Sequence, residues 1–353
     1  MITIEPPGKN SIPAPRSQGK RKLAHVFLTL LLTATLHAQP WRLTWSDEFN
    51  GPNGSSPDPA KWNIVTGGNG FGNNEQETYT GRPDNIQQRD GNLVITARKE
   101  DLTGPDGIPR NYTSARINTE NHFAQKYGRL EARIKLPTGK GIWPAFWLLG
   151  DDHETNEWPD CGEIDILETI GARDTIYSTI HGPGYSGSKG PTTKFVLPPG
   201  EQVDTAFHLY AVEWSPNDIK FFFDDHLIVE RTPADLPSGT RWVYDHSFYL
   251  LLNLAVGGYW PGKPDQTTTF PQQMLVDYVR VYTRKDEPSE ATPVPGVLSR
   301  EEAPSLIRSA PLSGEKPGAT HFDSDLWASP EGLVLSSPGP TPYTTATTVQ
   351  AQP

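Results

Sequence analysis

An all-β fold of two packed antiparallel sheets, a β-sandwich or jelly roll, is what this sequence predicts, and three observations carry the prediction. The 353 residues include 35 prolines and 32 glycines, and so much backbone punctuation interrupts helices and favours turns. No stretch of three helical turns keeps an amphipathic period, whereas short alternating or continuous apolar runs recur across residues 41–284. The connections between those runs are long and rich in Gly and Asn, as they are between the strands of two facing sheets.

The amino terminus stands apart from this pattern. Lys20, Arg21 and Lys22 precede a mostly apolar run at 23–36, which is followed by Ala38. A basic region, a short apolar core and a small residue at the exit make a secretory leader. The run is too short to span a bilayer comfortably. Residues 1–38 are therefore expected to be a signal peptide, leaving a protein without a membrane segment that is secreted to the extracellular space or periplasm.

Strands are expected next at 93–97, 130–136 and 210–214, which alternate or are β-rich. Residues 219–223 and 227–229, separated by a turn at Asp224 and Asp225, read as a hairpin. The continuous apolar run 248–255 suits a strand buried on both faces. Residues 274–282 alternate again, with Leu275, Val279 and Val281 on one side and Val276, Tyr278 and Tyr282 on the other. The folded domain is placed at 39–287. Beyond it, residues 288–353 are rich in Pro, Ser and Thr with few apolar anchors, and are expected to be a disordered tail.

Charge and cysteine content narrow the function. Lys plus Arg number 31 against 42 Asp plus Glu, a formal charge of −11. That field repels a phosphate backbone, so nucleic acid is not an expected partner. The single cysteine, Cys161, allows no intrachain disulfide and reads as a small buried filler.

The sharpest chemical feature is Gly162-Glu163-Ile164-Asp165-Ile166-Leu167-Glu168, three acids interleaved with large aliphatics. On a regular strand Glu163 and Asp165 share a face while Glu168 points away. A β-bulge between Asp165 and Glu168 corrects the parity and turns all three carboxylates to one face. Helical geometry scatters them, since offsets of two and five residues rotate by about 200° and 500°. Such a set has a use: a glycosidic bond is cleaved by one ionised and one protonated carboxyl. One bulged strand holds them a few ångströms apart, in keeping with the roughly 5–5.5 Å of a retaining enzyme. Neighbouring acids also push their titrations apart, so nucleophile and acid coexist at mild pH. A solvated acidic strand and a three-acid site for a hard cation are the competing readings. The first leaves the flanking Trp143, Trp147 and Trp158 unexplained.

The segment resembles the signature of glycoside hydrolase family 16 in its laminarinase-like, bulged-strand form. Six further blocks resemble that family in the expected order: Trp45-Ser46-Asp47-Glu48-Phe49-Asn50, Gly72-Asn73-Asn74-Glu75, Tyr112-Thr113-Ser114-Ala115-Arg116, Gly141-Ile142-Trp143-Pro144-Ala145-Phe146-Trp147, Leu252-Asn253-Leu254-Ala255-Val256-Gly257-Gly258 and Asp277-Tyr278-Val279-Arg280-Val281-Tyr282. The resemblance implies a concanavalin-like jelly roll with a concave glycan cleft and a catalytic domain at 39–287. It further implies Glu163 as nucleophile, Glu168 as acid then base, and Asp165 assisting between them. Trp143, Trp147, Trp158 and His181 are placed by it near the scissile bond, with Asn73, Arg116, Asn253 and Trp260 as further sugar-binding positions.

No cofactor is required for such catalysis. Relatives often carry a structural calcium remote from the cleft, and the matching positions are Glu48, a backbone carbonyl near Gly91, and Asp277. The expected substrate is a β-1,3 or β-1,3-1,4 glucan cut internally by a monomer. The extra Leu167 resembles laminarinases, and also enzymes of agar- and carrageenan-type galactans. A non-catalytic β-glucan-binding module on the same scaffold, and transglycosylation, are the functional alternatives; the first would lack a catalytic acid, and both Glu163 and Glu168 are present.

Overall fold

The computed structural model describes residues 40–104 and 106–285. The signal peptide read at 1–38 and the tail read at 288–353 lie outside the described residues. Eighteen strands among the described residues, numbered in chain order, make two sheets. The first runs β16 (His226–Arg231), β15 (Asp218–Phe223), β14 (His208–Ser215), β9 (Gly128–Lys135), β18 (Gln272–Arg284), β5 (Asn92–Thr103), β6 (Pro109–Ser114) and β3 (Glu77–Tyr79). Beside these, β1 (Trp41–Asp47) pairs with β18 and β4 (Ile86–Arg89) with β5. The second sheet runs β13 (Thr193–Val196), β12 (Thr175–His181), β11 (Glu163–Glu168), β10 (Ile142–Gly150), β17 (Phe248–Val256), β7 (Arg116–Asn118) and β2 (Asn63–Val65), with β8 (Ala124–Gln125) on β17. Of these strand pairs, β3 with β6 is parallel and the others are antiparallel.

Side-chain alternation explains the layering. Leu130, Ala132 and Ile134 of β9 meet Ile142, Phe146 and Leu148 of β10 and Leu250, Leu252 and Leu254 of β17 in one buried core between the sheets. Completely burying such aliphatic side chains contributes about 1.5–3 kcal/mol each. The intervening residues of β10 and β17 point the other way: Trp143, Ala145, Trp147, Leu149, Tyr249, Leu251 and Ala255 form smaller clusters on the outer face of the second sheet. Both strands are buried along their whole length, as the continuous apolar run implies for β17. The 218–231 hairpin forms as expected, turning through Asp224 and Asp225, both at positive φ.

The reading of residues 274–282 needs correction. Met274, Val276, Val279 and Val281 face the core, and Leu275 lies on the other side. The register of β18 on β9 shifts between Val276 and Tyr278. One extra residue, Asp277, reverses the alternation at that point, which a strict period of two misses.

Candidate active site

The expected bulge is present in β11. Asp165 lies opposite Thr179 and Glu168 opposite Tyr177, so three steps on β11 match two on β12. Ile166 and Leu167 both turn into the core, and Glu163, Asp165 and Glu168 line one cleft on the outer face. Ser178, buried opposite the irregularity, donates its hydroxyl to the Ile166 carbonyl at 2.9 Å. Ser178→Ala leaves that buried carbonyl without this donor and is expected to cost about 1–3 kcal/mol in denaturant unfolding. It should also lower kcat by roughly ten-fold, because the carboxylates lose their fixed spacing.

The cleft is lined by Asn73, Glu75, Arg116, Trp143, Ala145, Trp147, Trp158, Asn253 and the three acids. Each glutamate has an indole partner: Trp158 Nε1 donates to Glu163 Oε2 at 2.7 Å and Trp143 Nε1 to Glu168 Oε1 at 2.9 Å. A third indole, Trp147, donates to Asn253 Oδ1 at 2.8 Å. The Arg116 guanidinium lies over the Trp147 ring, 4.9 Å from its centroid. Flat ring faces edged with amide, guanidinium and carboxyl groups match a sugar, whose C–H faces are apolar and whose rim is hydroxyl.

Burial is the main force on the titrating groups. It raises Glu163, Asp165 and Glu168 above the ordinary carboxylate range, and a neighbouring acid adds to the rise in each. Trp158 and His181 oppose the rise at Glu163. Glu168 is pushed up to about 8, against the pull of the Trp143 N–H. Burial lowers His181 below the ordinary histidine value. Trp143→Phe removes a donor that favours ionised Glu168 and therefore raises Glu168 further. The alkaline fall of kcat/KM should move to higher pH in that variant, read from a pH–rate profile.

Two of the expected sugar-binding residues are not among those lining the cleft. His181 is buried beside the acids, opposite Glu163 on β12, its Nε2 3.1 Å from Asp165 Oδ2 and 4.0 Å from Glu163 Oε1. Trp260 lies outside the cleft lining, edge-on to Trp143 at 5.8 Å and to Tyr177 at 4.9 Å. Glu75 and Ala145 line the cleft without having been singled out. Glu75 closes the Gly72-Asn73-Asn74-Glu75 block, where it could have been found; Ala145 has no chemical signature. Cys161 is fully buried beside Trp147 and Tyr249, and burial raises its thiol, as an inert filler requires.

Two of the positions matched to a structural calcium have arginine partners in this structure. Glu48 gives both carboxylate oxygens to Arg280, at 2.9 and 2.7 Å. Asp277 is held by Arg133 at 2.6 Å, and Gly91 stands in a left-handed turn at φ 73°. A calcium ion here would have to share or displace these guanidinium contacts. Among the described residues, the group of acids and histidine close enough to share an ion is Glu163, Asp165 and His181, within 4.8 Å of one another. It belongs to the catalytic cluster.

A two-sheet β fold with a tryptophan-walled cleft and paired glutamates on one bulged strand defines a glycoside hydrolase. The family model for glycosyl hydrolases family 16 matches residues 73–280, and the chain belongs to that family. Its catalysis needs no cofactor. A β-glucanase of Rhodothermus marinus is 41% identical over 255 residues, covering 69% of this chain and 86% of that protein. The laminarinase catalytic domain of Thermotoga maritima is 45% identical with a TM-score of 0.65, covering 69% of this chain and 98% of that one. The endo-β-1,3-glucanase of Pyrococcus furiosus is 47% identical with a TM-score of 0.66, covering 69% and 95%.

Proposed function

We propose that this chain is a retaining endo-β-1,3-glucanase acting on laminarin-type polysaccharides, with β-1,3-1,4 glucans as secondary substrates. The observation that carries the reading is the bulge in β11, which delivers Glu163 and Glu168 to one face of a tryptophan-lined cleft. Glu163 attacks the anomeric carbon while Glu168 protonates the departing glycosidic oxygen. The anomeric C–O bond breaks, and a glycosyl ester on Glu163 forms. Glu168, now ionised, takes a proton from water, which hydrolyses the ester and regenerates both carboxyls. When Glu163 is ionised its charge helps keep the proton on Glu168, so the required pair of states supports itself. Trp158 stabilises the nucleophile's charge before attack. Asp165, held between them with His181 Nε2 3.1 Å from its Oδ2, orients the nucleophile.

The intact Trp143–Trp147 and Trp158–Gly162 segments support laminarin over galactans. Reducing-sugar release from laminarin, lichenan, agarose and carrageenan tests this. Release greatest on laminarin is expected; none from laminarin by folded protein overturns the assignment. Retention is tested by the anomer first formed, which should be β. The leader-like segment at 1–38 supports export, and a mature amino terminus at Gln39 in secreted material is the expected result. We take the enzyme to act as a monomer, checked by light scattering.

A further inference from the structure

A second pair of buried acids stands in the cleft wall, outside the catalytic trio. Glu77 on β3 is 0% exposed. Its Oε2 accepts the backbone N–H of Val256 at 2.7 Å, while its Oε1 is buried without a hydrogen-bond partner. The Glu75 carboxyl lies against it. Glu75 lines the cleft and already accepts two donors, the Tyr79 hydroxyl at 2.8 Å and the Asn73 amide at 3.3 Å. Tyr79 is also reached by the Asn253 amide at 3.3 Å, and Asn253 in turn accepts the Trp147 indole. A chain of hydrogen bonds thus runs from Glu75, against which Glu77 lies, to a tryptophan of the cleft floor.

We propose that Glu77 is a positioning residue: a neutral carboxylic acid whose proton is shared with Glu75, holding the Asn73–Glu75 wall and, through Tyr79 and Asn253, the Trp147 ring in place for sugar. Two adjacent buried carboxylates cannot both remain ionised. Glu75 has one donor on each oxygen and a lone pair to spare on each, whereas Glu77 has an oxygen with none. A proton on that Oε1 satisfies the orphan atom and donates to Glu75. The surrounding groups leave this arrangement in place. Arg116 is the cation in reach of Tyr79, and its guanidinium is stacked over Phe71 and Trp147 at 5.0 and 4.9 Å. Tyr112 of β6 pairs in register with Glu77, and β17 contributes the Val256 N–H. Burial and Glu75 both raise Glu77 well above the usual carboxylate range.

The proposal rests on the cleft being the glucan site, so its test has one arm with sugar and one without. In a Glu163→Gln background, which binds without turnover, affinity for laminarihexaose is measured by calorimetry across pH. Glu77→Met should weaken binding about ten-fold, and Glu77→Gln, which keeps a donor and an acceptor, should restore it to within about two-fold. Protein that retains Glu77 should lose affinity in alkaline solution as the shared proton leaves, and the Glu77→Gln variant should not. Met as good as Glu, Gln as poor as Met, or an alkaline loss unchanged by Glu77→Gln overturns the proposal.

The second arm is thermal unfolding without ligand. The folded protein holds this proton more tightly than the unfolded chain does, so its stability falls as pH rises above the usual glutamate value of 4.5. The Tm advantage of Glu77→Gln should therefore grow with pH, and a difference independent of pH overturns the proposal. Should no variant bind laminarihexaose, the glucan reading fails, while the unfolding comparison still decides the role of Glu77.

Discussion

Glu163→Ala abolishes hydrolysis by several orders of magnitude while leaving glucan binding within a few-fold of the native protein. The expectation follows from the separation of tasks in the cleft. Trp143, Trp147, Asn253 and Arg116 line the cleft, and in the proposed mechanism Glu163 supplies the electron pair that opens the covalent route. Removing it deletes a step rather than a contact, so the loss falls on kcat and not on affinity. The variant also vacates a space on the attacked face that a small anion can occupy. Added azide should restore turnover of an activated aryl β-glucoside and yield a product of inverted, α configuration. Hydrolysis by Glu163→Ala at the native rate, or azide rescue with β configuration, would remove Glu163 from the nucleophile's role.

Glu168→Ala is the second large loss, and its signature differs. Natural glucan needs a proton on the leaving oxygen, so its turnover should also fall by orders of magnitude. An aryl glucoside with a good leaving group needs little protonation, so its first step should survive, the glycosyl enzyme should accumulate, and azide should give the β product. In the native enzyme the acid form of Glu168 is lost as pH rises through about 8, placing the alkaline limb of kcat/KM there. The same group affects stability. Its folded value of about 8 exceeds its usual 4.5, so the native state binds a proton that the unfolded chain has released, and stability declines as pH rises between those values. Glu168→Gln removes that dependence. It should be no more stable than wild type near pH 4 and more stable by roughly 1–3 kcal/mol near pH 8. Equal Tm differences at both ends would show that Glu168 does not hold its proton in the folded state.

Much of this was legible in the sequence, because the decisive information was a parity. The offset of five between Glu163 and Glu168 conflicts with a shared face on a regular strand, and a single bulge resolves it. The same device in β18 passed unnoticed, since alternation through Leu275, Val279 and Val281 looks regular until Asp277 is recognised as the extra residue. Residue type alone could not separate contact from support. His181 has the chemistry of a sugar ligand but is buried against Asp165, and Trp260 packs edge-on to Trp143. At the positions matched to calcium, nothing in the sequence pointed to the guanidinium partners Arg280 and Arg133, which come from the neighbouring β-strands. Glu77 was invisible because its significance comes from Val256, 179 residues away.

Leu167, the added residue of β11, spends its side chain on the oily side of the sheet, where it is fully enclosed. A lineage drifting toward an unkinked strand would have to shed an isobutyl group from the middle of the sandwich and leave a hole of its size. Voids of that kind typically cost about 2–5 kcal/mol, a large part of a domain's margin against unfolding. The hydrocarbon interior thus acts as a ratchet on the reacting groups across the backbone, and changes in substrate preference are easier to reach through the loops at the rim than through the strand that carries the chemistry.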